Sequence, residues 1–510
     1  MAGRMRGLMG RAVRSVRAAP VVKAAPARTR TDLGPHDVAR LNLEVVADAL
    51  EAAGVPYLVL RVPGVRHRVV VREPSRRAAL AAVAGCPEAA SMRARLLGTD
   101  GARAVPAADL TDPDGYGVRL FRRVAASAEL AFGADCGCDL EFWSVAGDGA
   151  LRAPCGTPIG RDVPAAAQVP AALPVGDRRY PSLEAFVRPR SDEVGFAVDA
   201  VYTWVDGADP AWLSRRAAAL GERRPHRADG GPARYLSRDE LRYSLRSLAM
   251  FAPWIGRVWI VTDAQVPAWL DTAHPRVRVV DHRDVFTDPS ALPTYNSHAI
   301  ETRLHHIDGL AEHFLYLNDD FFLGRPLRPE RFFTPAGVAR CFPSPTTIPP
   351  GPVAEGDPTW IAAAKNARAL VESEFGSTTT CAFKHAPYAL RRSVLADLEA
   401  RFPAAFAATA ASRVRSRHDI APVSSLYQHH GRRTGAAVDG SLSCDTIPLG
   451  RADALPTLER LLTARDRDAF CLNDLATGDL TEDEKTAAVA SFLPRYFPIP
   501  APWERGSHPT

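Results

Sequence analysis

The segment His313-Phe314-Leu315-Tyr316-Leu317-Asn318-Asp319-Asp320-Phe321-Phe322-Leu323-Gly324 constrains the fold more than any other. A short apolar run rich in aromatics reads as a buried strand. This one ends in an amide and two adjacent carboxylates. In open α/β sheets, ligands bind at the carboxyl ends of the strands. Two carboxylates there repel each other unless a cation lies between them, and hard oxygen donors suit Mg²⁺ or Mn²⁺. The plainer alternative is an Asn-Asp turn that caps the next segment.

Three earlier runs obey the same rule. Phe196–Trp204 breaks into a polar turn holding Asp206, Gly207 and Asp209; Arg257–Thr262 ends on Asp263; Arg276–Val280 ends on Asp281 and His282. Strands with polar ends, alternating with helices, predict a Rossmann-like α/β layer. Between the first two, Ser237-Arg238-Asp239-Glu240 reads as a capping box opening a helix with Leu241, Leu245 and Leu248 inward. Arg238, Arg242 and Arg246 recur on another face of it, either as a solvated stripe or as a phosphate clamp. The proline-rich stretch 343–358 reads as a long ordered loop or lid, followed by helices near 360–375 and 391–401.

With 510 residues the chain exceeds what one core usually serves, so two domains are expected. Eight of the Lys and Arg residues and no acid fall in residues 1–31, which turns the formal net charge of +5 into −3 for the rest. A basic tail on a near-neutral body excludes a nucleic-acid binder and leaves open peripheral attraction to anionic membrane surfaces. No apolar run is long enough to span a bilayer, and the eight cysteines lack the paired spacing of a zinc site. A reduced, cytoplasmic protein is expected, at most at the inner face of the membrane. The expected layout is a disordered basic tail (1–32), an accessory mixed α/β domain (33–152), a Pro- and Ala-rich linker (153–190) and a catalytic domain (191–505). In the accessory domain Asp139 and Glu141 alternate along one strand. They resemble a nucleotidyltransferase carboxylate pair, but a solvated strand face accounts for them more simply.

Four blocks in order resemble the signature segments of the Stealth family of sugar-phosphate transferases, which includes bacterial capsule polymerases and the lysosomal-enzyme N-acetylglucosamine-1-phosphotransferase. The first is Val198–Gly207. The second runs from Arg238-Asp239-Glu240-Leu241-Arg242 through Ile260-Val261-Thr262-Asp263 and Asn296-Ser297-His298-Ala299 to Asn318-Asp319-Asp320. The third spans 360–419 around His385 and Arg415, and the fourth is Cys471-Leu472-Asn473-Asp474. The resemblance covers roughly 196–503. Ala264 stands where the family usually has Gly, and Ala208 where Ser is common.

The resemblance implies a metal-dependent phosphotransferase with a Rossmann-like (GT-A-like) catalytic domain. Its reaction would move a hexose- or N-acetylhexosamine-1-phosphate from a UDP-sugar donor to a hydroxyl of an oligosaccharide or polysaccharide acceptor. That forms a phosphodiester and releases UMP, in capsule or cell-surface polysaccharide synthesis. Asp319, Asp320, Asn473 and Asp474 would hold Mg²⁺ or Mn²⁺. His385 would take the acceptor's proton, and Arg415 would bind the transferring phosphate, with Asp320 also catalytic. Trp204, Asp206, Arg242, Asp263, Asn296 and His298 would bind substrate, and His298 is the reserve base. A glycosyltransferase releasing UDP and a non-catalytic sugar-nucleotide-binding protein are the alternatives.

Overall fold

The first domain is organised by helix α1 (Pro35–Ala52), whose apolar residues face two ways. Leu43, Val46, Ala47 and Leu50 enter the domain's own core, whereas Val38 and Ala39 join a cluster continuous with the second domain's core. At the centre of an eight-stranded mixed sheet, β1 (His67–Arg72) and β2 (Cys138–Val145) pair in parallel. This computed structural model describes residues 29–99, 103–111, 114–221, 230–474 and 478–506. Most of the expected disordered tail lies outside them. All eight cysteines are free, and among the described residues no helix is long and apolar enough to cross a membrane.

Two expectations for this region need correction. The stretch 153–190 is not a linker. Leu151–Thr157 and Gly160–Val163 extend the sheet, and Pro170–Val175 pairs with Arg178–Leu183 in a two-stranded ribbon whose Leu173 and Tyr180 enter the first core. Pro170, Pro174 and Pro181 are tolerated because each ribbon strand keeps a free edge where a missing N–H costs little. Asp139 and Glu141 share a strand but are not solvated. They are 8% and 2% exposed and ion-paired to Arg119 and Arg68 from elsewhere in the domain.

The second domain begins with β3 (Val198–Thr203), α2 (Glu240–Phe251), β4 (Val258–Thr262), β5 (Val277–Asp281), β6 (His313–Asn318), β7 (Phe321–Leu323), β8 (Tyr388–Arg391) and α3 (Arg392–Arg401). The main sheet has the order β5-β4-β3-β6-β8, parallel except for β8. Its central strands are mostly apolar because both faces are covered, the charged exception being Asp199 of β3, buried and bonded to the Arg257 N–H and the Trp259 indole. The α/β, Rossmann-like expectation holds.

A small second sheet positions the chemistry. There β7 pairs antiparallel with β10 (Ala469–Asn473), placing Phe321 opposite Cys471, and β10 runs parallel to β9 (Cys444–Pro448). The Leu472 N–H donates to the Asp320 carbonyl at 3.0 Å. Phe322, Phe470 and Phe497 stack with centroids 5.2–6.1 Å apart. Helix α4 (Glu482–Tyr496), opened by the Thr481/Glu484 capping box, packs Phe492 and Tyr496 on Phe470.

Around α2, Leu241, Leu245 and Leu248 are buried as expected. The Ser237 capping box does not form. The helix starts at Glu240 behind a left-handed Asp239 (φ 65°), and the Glu240 carboxylate accepts the Arg238 N–H. The arginine row is neither solvated nor one clamp. Arg242 and Arg246 both bind Glu504, at 2.7 Å from each Nε, because the C-terminal segment folds back across the helix. Arg242 is therefore structural rather than substrate-binding. Glu504→Ala should destabilise the fold by about 3–5 kcal/mol, since it leaves Arg246 buried without its counter-charge; urea unfolding measures this. The proline-rich stretch is partly a strand, with Pro343–Thr347 pairing with Cys381–Phe383.

Candidate active site

At the carboxyl ends of β3, β4 and β6 lies a cavity of about 270 Å³. Its wall includes Trp204, Asp263, Asp319, Asp320, His385, Arg415, Asn473 and Asp474 from the expected set. It also includes Trp212, Arg234, Tyr235, Arg238, Glu240, His282, Tyr295 and Ser297. Sequence segments more than 250 residues apart therefore meet at one place.

The β3 end makes the floor. Asp206 does not line the cavity. Its backbone N–H binds Gln265 and its carboxylate accepts the Ala208 N–H at 2.9 Å, so its role is to shape the turn. A Cβ on Gly207 would lie 2.3 Å from the Tyr235 carbonyl oxygen, so the turn needs glycine there to let Tyr235 approach. Asp263 is held by Arg215 at 3.0 Å. The next residue, Ala264, has φ 55°, the left-handed region in which glycine is easiest.

The turn between β6 and β7 presents the carboxylates. Burial, the neighbouring charge of Asp320 and that of Glu240 raise the Asp319 pKa well above the ordinary carboxylate value. Burial likewise raises that of Asp320, opposed by a hydrogen bond from Cys471 and reinforced by Glu240. The Cys471 thiol donates to Asp320 Oδ2 at 3.3 Å. Asp320 Oδ1 is buried with no hydrogen-bond partner. A bare carboxylate oxygen, with Asp319 adjacent in the turn and Asn473 on the same wall, offers the hard oxygen donors that suit a divalent cation. Asp474 lines the cavity too, but its oxygens are held by Arg238 at 2.7 Å and Lys485 at 2.9 Å. A carboxylate has about four acceptor sites, so these two ion pairs orient Asp474 at the wall without exhausting it.

Across the cavity stand an imidazole and a guanidinium. His385 is open to the cavity, with its ring edge-on to Phe321 at 5.9 Å. Desolvation by the surrounding protein and the charge of Arg415 lower its pKa from the usual 6.5, so the ring is neutral at pH 7. Arg415 donates to Ser297 Oγ at 2.9 Å.

Asn296 and His298 do not line the cavity. Asn296 caps the Ser297–Glu301 helix and binds Asp419 at 2.8 Å. His298 is buried behind it, kept neutral by burial and by Arg415. Neither is placed to touch substrate, and His298 is no reserve base. Capping by Asn296 turns Ser297 into the cavity and its neighbours away.

Sequence reasoning missed several residues. Glu240 was absorbed into a capping box. Trp212, Tyr235 and Tyr295 form an aromatic cluster with centroids 5.1 and 5.3 Å from Trp212, and only the aromatic content of three separate segments hinted at it. His282, just past β5, is buried at the cavity wall, and burial lowers its pKa to about 4.

Four family descriptions match the chain in order: Stealth protein conserved region 1 over residues 196–224, region 2 over 234–341, region 3 over 384–432 and region 4 over 459–510. An exopolysaccharide phosphotransferase of Streptomyces coelicolor is 46% identical over 93% of this chain and 52% of its own length. Another from that organism is 42% identical over 93% of this chain and 91% of its own. The exopolysaccharide phosphotransferase CpsY of Mycobacterium tuberculosis is 38% identical over 94% and 91%. The chain thus spans about half the length of the first relative and most of the other two. Among solved structures, a galactosyltransferase in complex with donor and acceptor sugar analogues matches with a TM-score of 0.30 and 11% identity, over 59% of this chain and 96% of that one. Mouse xyloside xylosyltransferase 1 matches at 0.27 and 11%, over 54% and 98%. Scores this low have no bearing on function.

Proposed function

The chain belongs to the Stealth family, and from that premise we propose that it is a metal-dependent sugar-1-phosphate transferase of polysaccharide synthesis. It takes a hexose- or N-acetylhexosamine-1-phosphate from a UDP-sugar, joins it to a glycan hydroxyl as a phosphodiester and releases UMP. The observation that carries this reading is the pairing across one cavity of adjacent half-buried carboxylates with a neutral imidazole and a guanidinium. The relatives named exopolysaccharide phosphotransferase support the reaction class.

Attack on the phosphorus next to the sugar places negative charge on the phosphoryl oxygens and on the departing nucleotide phosphate. Mg²⁺ or Mn²⁺, held by Asp319, Asp320 and Asn473, would supply Lewis-acid neutralisation of that charge. Asp474, oriented by Arg238 and Lys485, would join that set through a remaining lone pair. Arg415, steadied by Ser297, forms the planar fork that binds a phosphate through two parallel hydrogen bonds. His385, neutral at pH 7, accepts the proton of the attacking hydroxyl. Trp204, only partly buried at the cavity wall, suits a stacked base or sugar ring, while Tyr235 is packed beneath Arg216 and Trp212.

Cys471 acts through Asp320. Its thiol occupies Oδ2 and leaves Oδ1 for the ion. Cys471→Val, close in volume but with no donor, should weaken Mg²⁺ affinity about 10–100-fold while the protein still folds, as read by metal titration of activity. The function itself is tested by supplying a panel of UDP-sugars, glycan acceptors and Mg²⁺, with and without chelator. Acceptor-dependent UMP is expected and should disappear on chelation. Release of UDP, or no turnover with any donor, would overturn the reading.

A further inference from the structure

One cluster of ligating side chains lies outside the catalytic cavity and has no part in the chemistry above. His305 and His306 end a single 3-10 turn, Leu304–His306, and Glu399 lies on α3. Both imidazole Nε2 atoms converge on Glu399 Oε2, at 2.7 and 2.8 Å. Among the described residues, this is the one group of three or more His, Cys, Asp or Glu whose ligand atoms all fall within 4.8 Å of each other.

Consecutive residues of a 3-10 turn project about 120° apart, so two adjacent rings meet at one point only by turning toward each other. Here the ring planes are 87° apart with centroids at 4.3 Å. The other Glu399 oxygen accepts from Arg303, which fixes the carboxylate's orientation. His305 is 4% exposed, His306 24% and Glu399 25%, so the cluster is walled on one side and reachable by an ion on the other.

We propose that His305, His306 and Glu399 form a site for a borderline divalent ion of the zinc class, separate from the carboxylate pair of the cavity. Two imidazoles and one carboxylate select zinc over magnesium, and a water completes the tetrahedron. The ion would pin the turn leading into β6 against α3, and so steady the strand that delivers Asp319 and Asp320.

The test uses the full chain carrying Asp319→Asn and Asp320→Asn, which removes the cavity's carboxylate pair. The protein is stripped with a chelator, then dialysed against Zn²⁺ or Co²⁺. About one equivalent of zinc per chain should be retained, and the cobalt form should show the intense visible bands of a four-coordinate, nitrogen-ligated ion. His306→Ala and Glu399→Gln, added separately, should each abolish both signals. The second keeps the side-chain shape, so it reports on ligation if the first folds poorly. Chelation should lower the melting temperature of the parent and not of these variants. No retained metal, octahedral cobalt spectra in the parent, or equal retention in the variants would show a plain hydrogen-bonded triad and overturn the proposal. None of these outcomes depends on which sugar nucleotide the enzyme uses.

Discussion

Asp320→Asn should reduce turnover by at least about 10²–10³-fold, the scale of losing one group that stabilises transition-state charge, while leaving a folded protein. The same substitution should change how stability depends on pH. Both carboxyl pKa values are raised in the folded protein, so the folded state holds protons that the unfolded state has released. In metal-free protein, stability should therefore be greatest below the ordinary carboxyl value near 4 and decline as pH rises through the raised folded values. Asp320→Asn should flatten that decline, and millimolar Mg²⁺ should reverse it in the wild type alone. Melting temperatures from pH 4 to 8, with and without Mg²⁺, read all three effects. Full activity in the variant would remove Asp320 from the chemistry.

The second large effect concerns the opposite wall. His385→Ala should lower the single-turnover rate about 10²–10⁴-fold with donor binding nearly intact. Its residual rate should recover toward high pH, where the acceptor hydroxyl needs less help. Because the His385 pKa is lowered, the wild-type ring stays neutral to a lower pH than free imidazole, and the acid limb of its rate profile should begin below 6.5. Arg415→Lys keeps the charge but loses the fork, so it should remain strongly impaired. If either residue were only structural, its variants would melt earlier yet turn over normally once folded. Melting temperature and single-turnover rate on the same samples separate the two cases.

The parts of the site that sequence revealed are those whose signal is local. The Phe314–Asp320 run carries its strand, its carboxyl end and its acids within one short window, and the structure keeps all three together. What failed were inferences that depended on partners far along the chain. Arg242 looked available for phosphate because Glu504, 262 residues on, leaves no mark near it. The ion pair of Asp474 left no sign in Cys471-Leu472-Asn473-Asp474, because Arg238 comes from the turn ahead of α2. Asn296 and His298 belong to a family motif, but a helix cap decides which of its side chains face the cavity. The nearness of Asp320 and Cys471 follows from the antiparallel register of β7 and β10, and a register between strands so distant is invisible in spacing. The 153–190 stretch was misread for a different reason. Proline counts against a central strand but not against a ribbon with open edges.

The fate of the donor's β-phosphorus tests the central claim most directly. In a UDP-sugar that atom lies next to the sugar. With donor labelled there, Mg²⁺ and a competent acceptor, the account predicts label in the glycan as a phosphodiester and unlabelled UMP in solution. Label leaving as UDP, with none in the glycan, would contradict it.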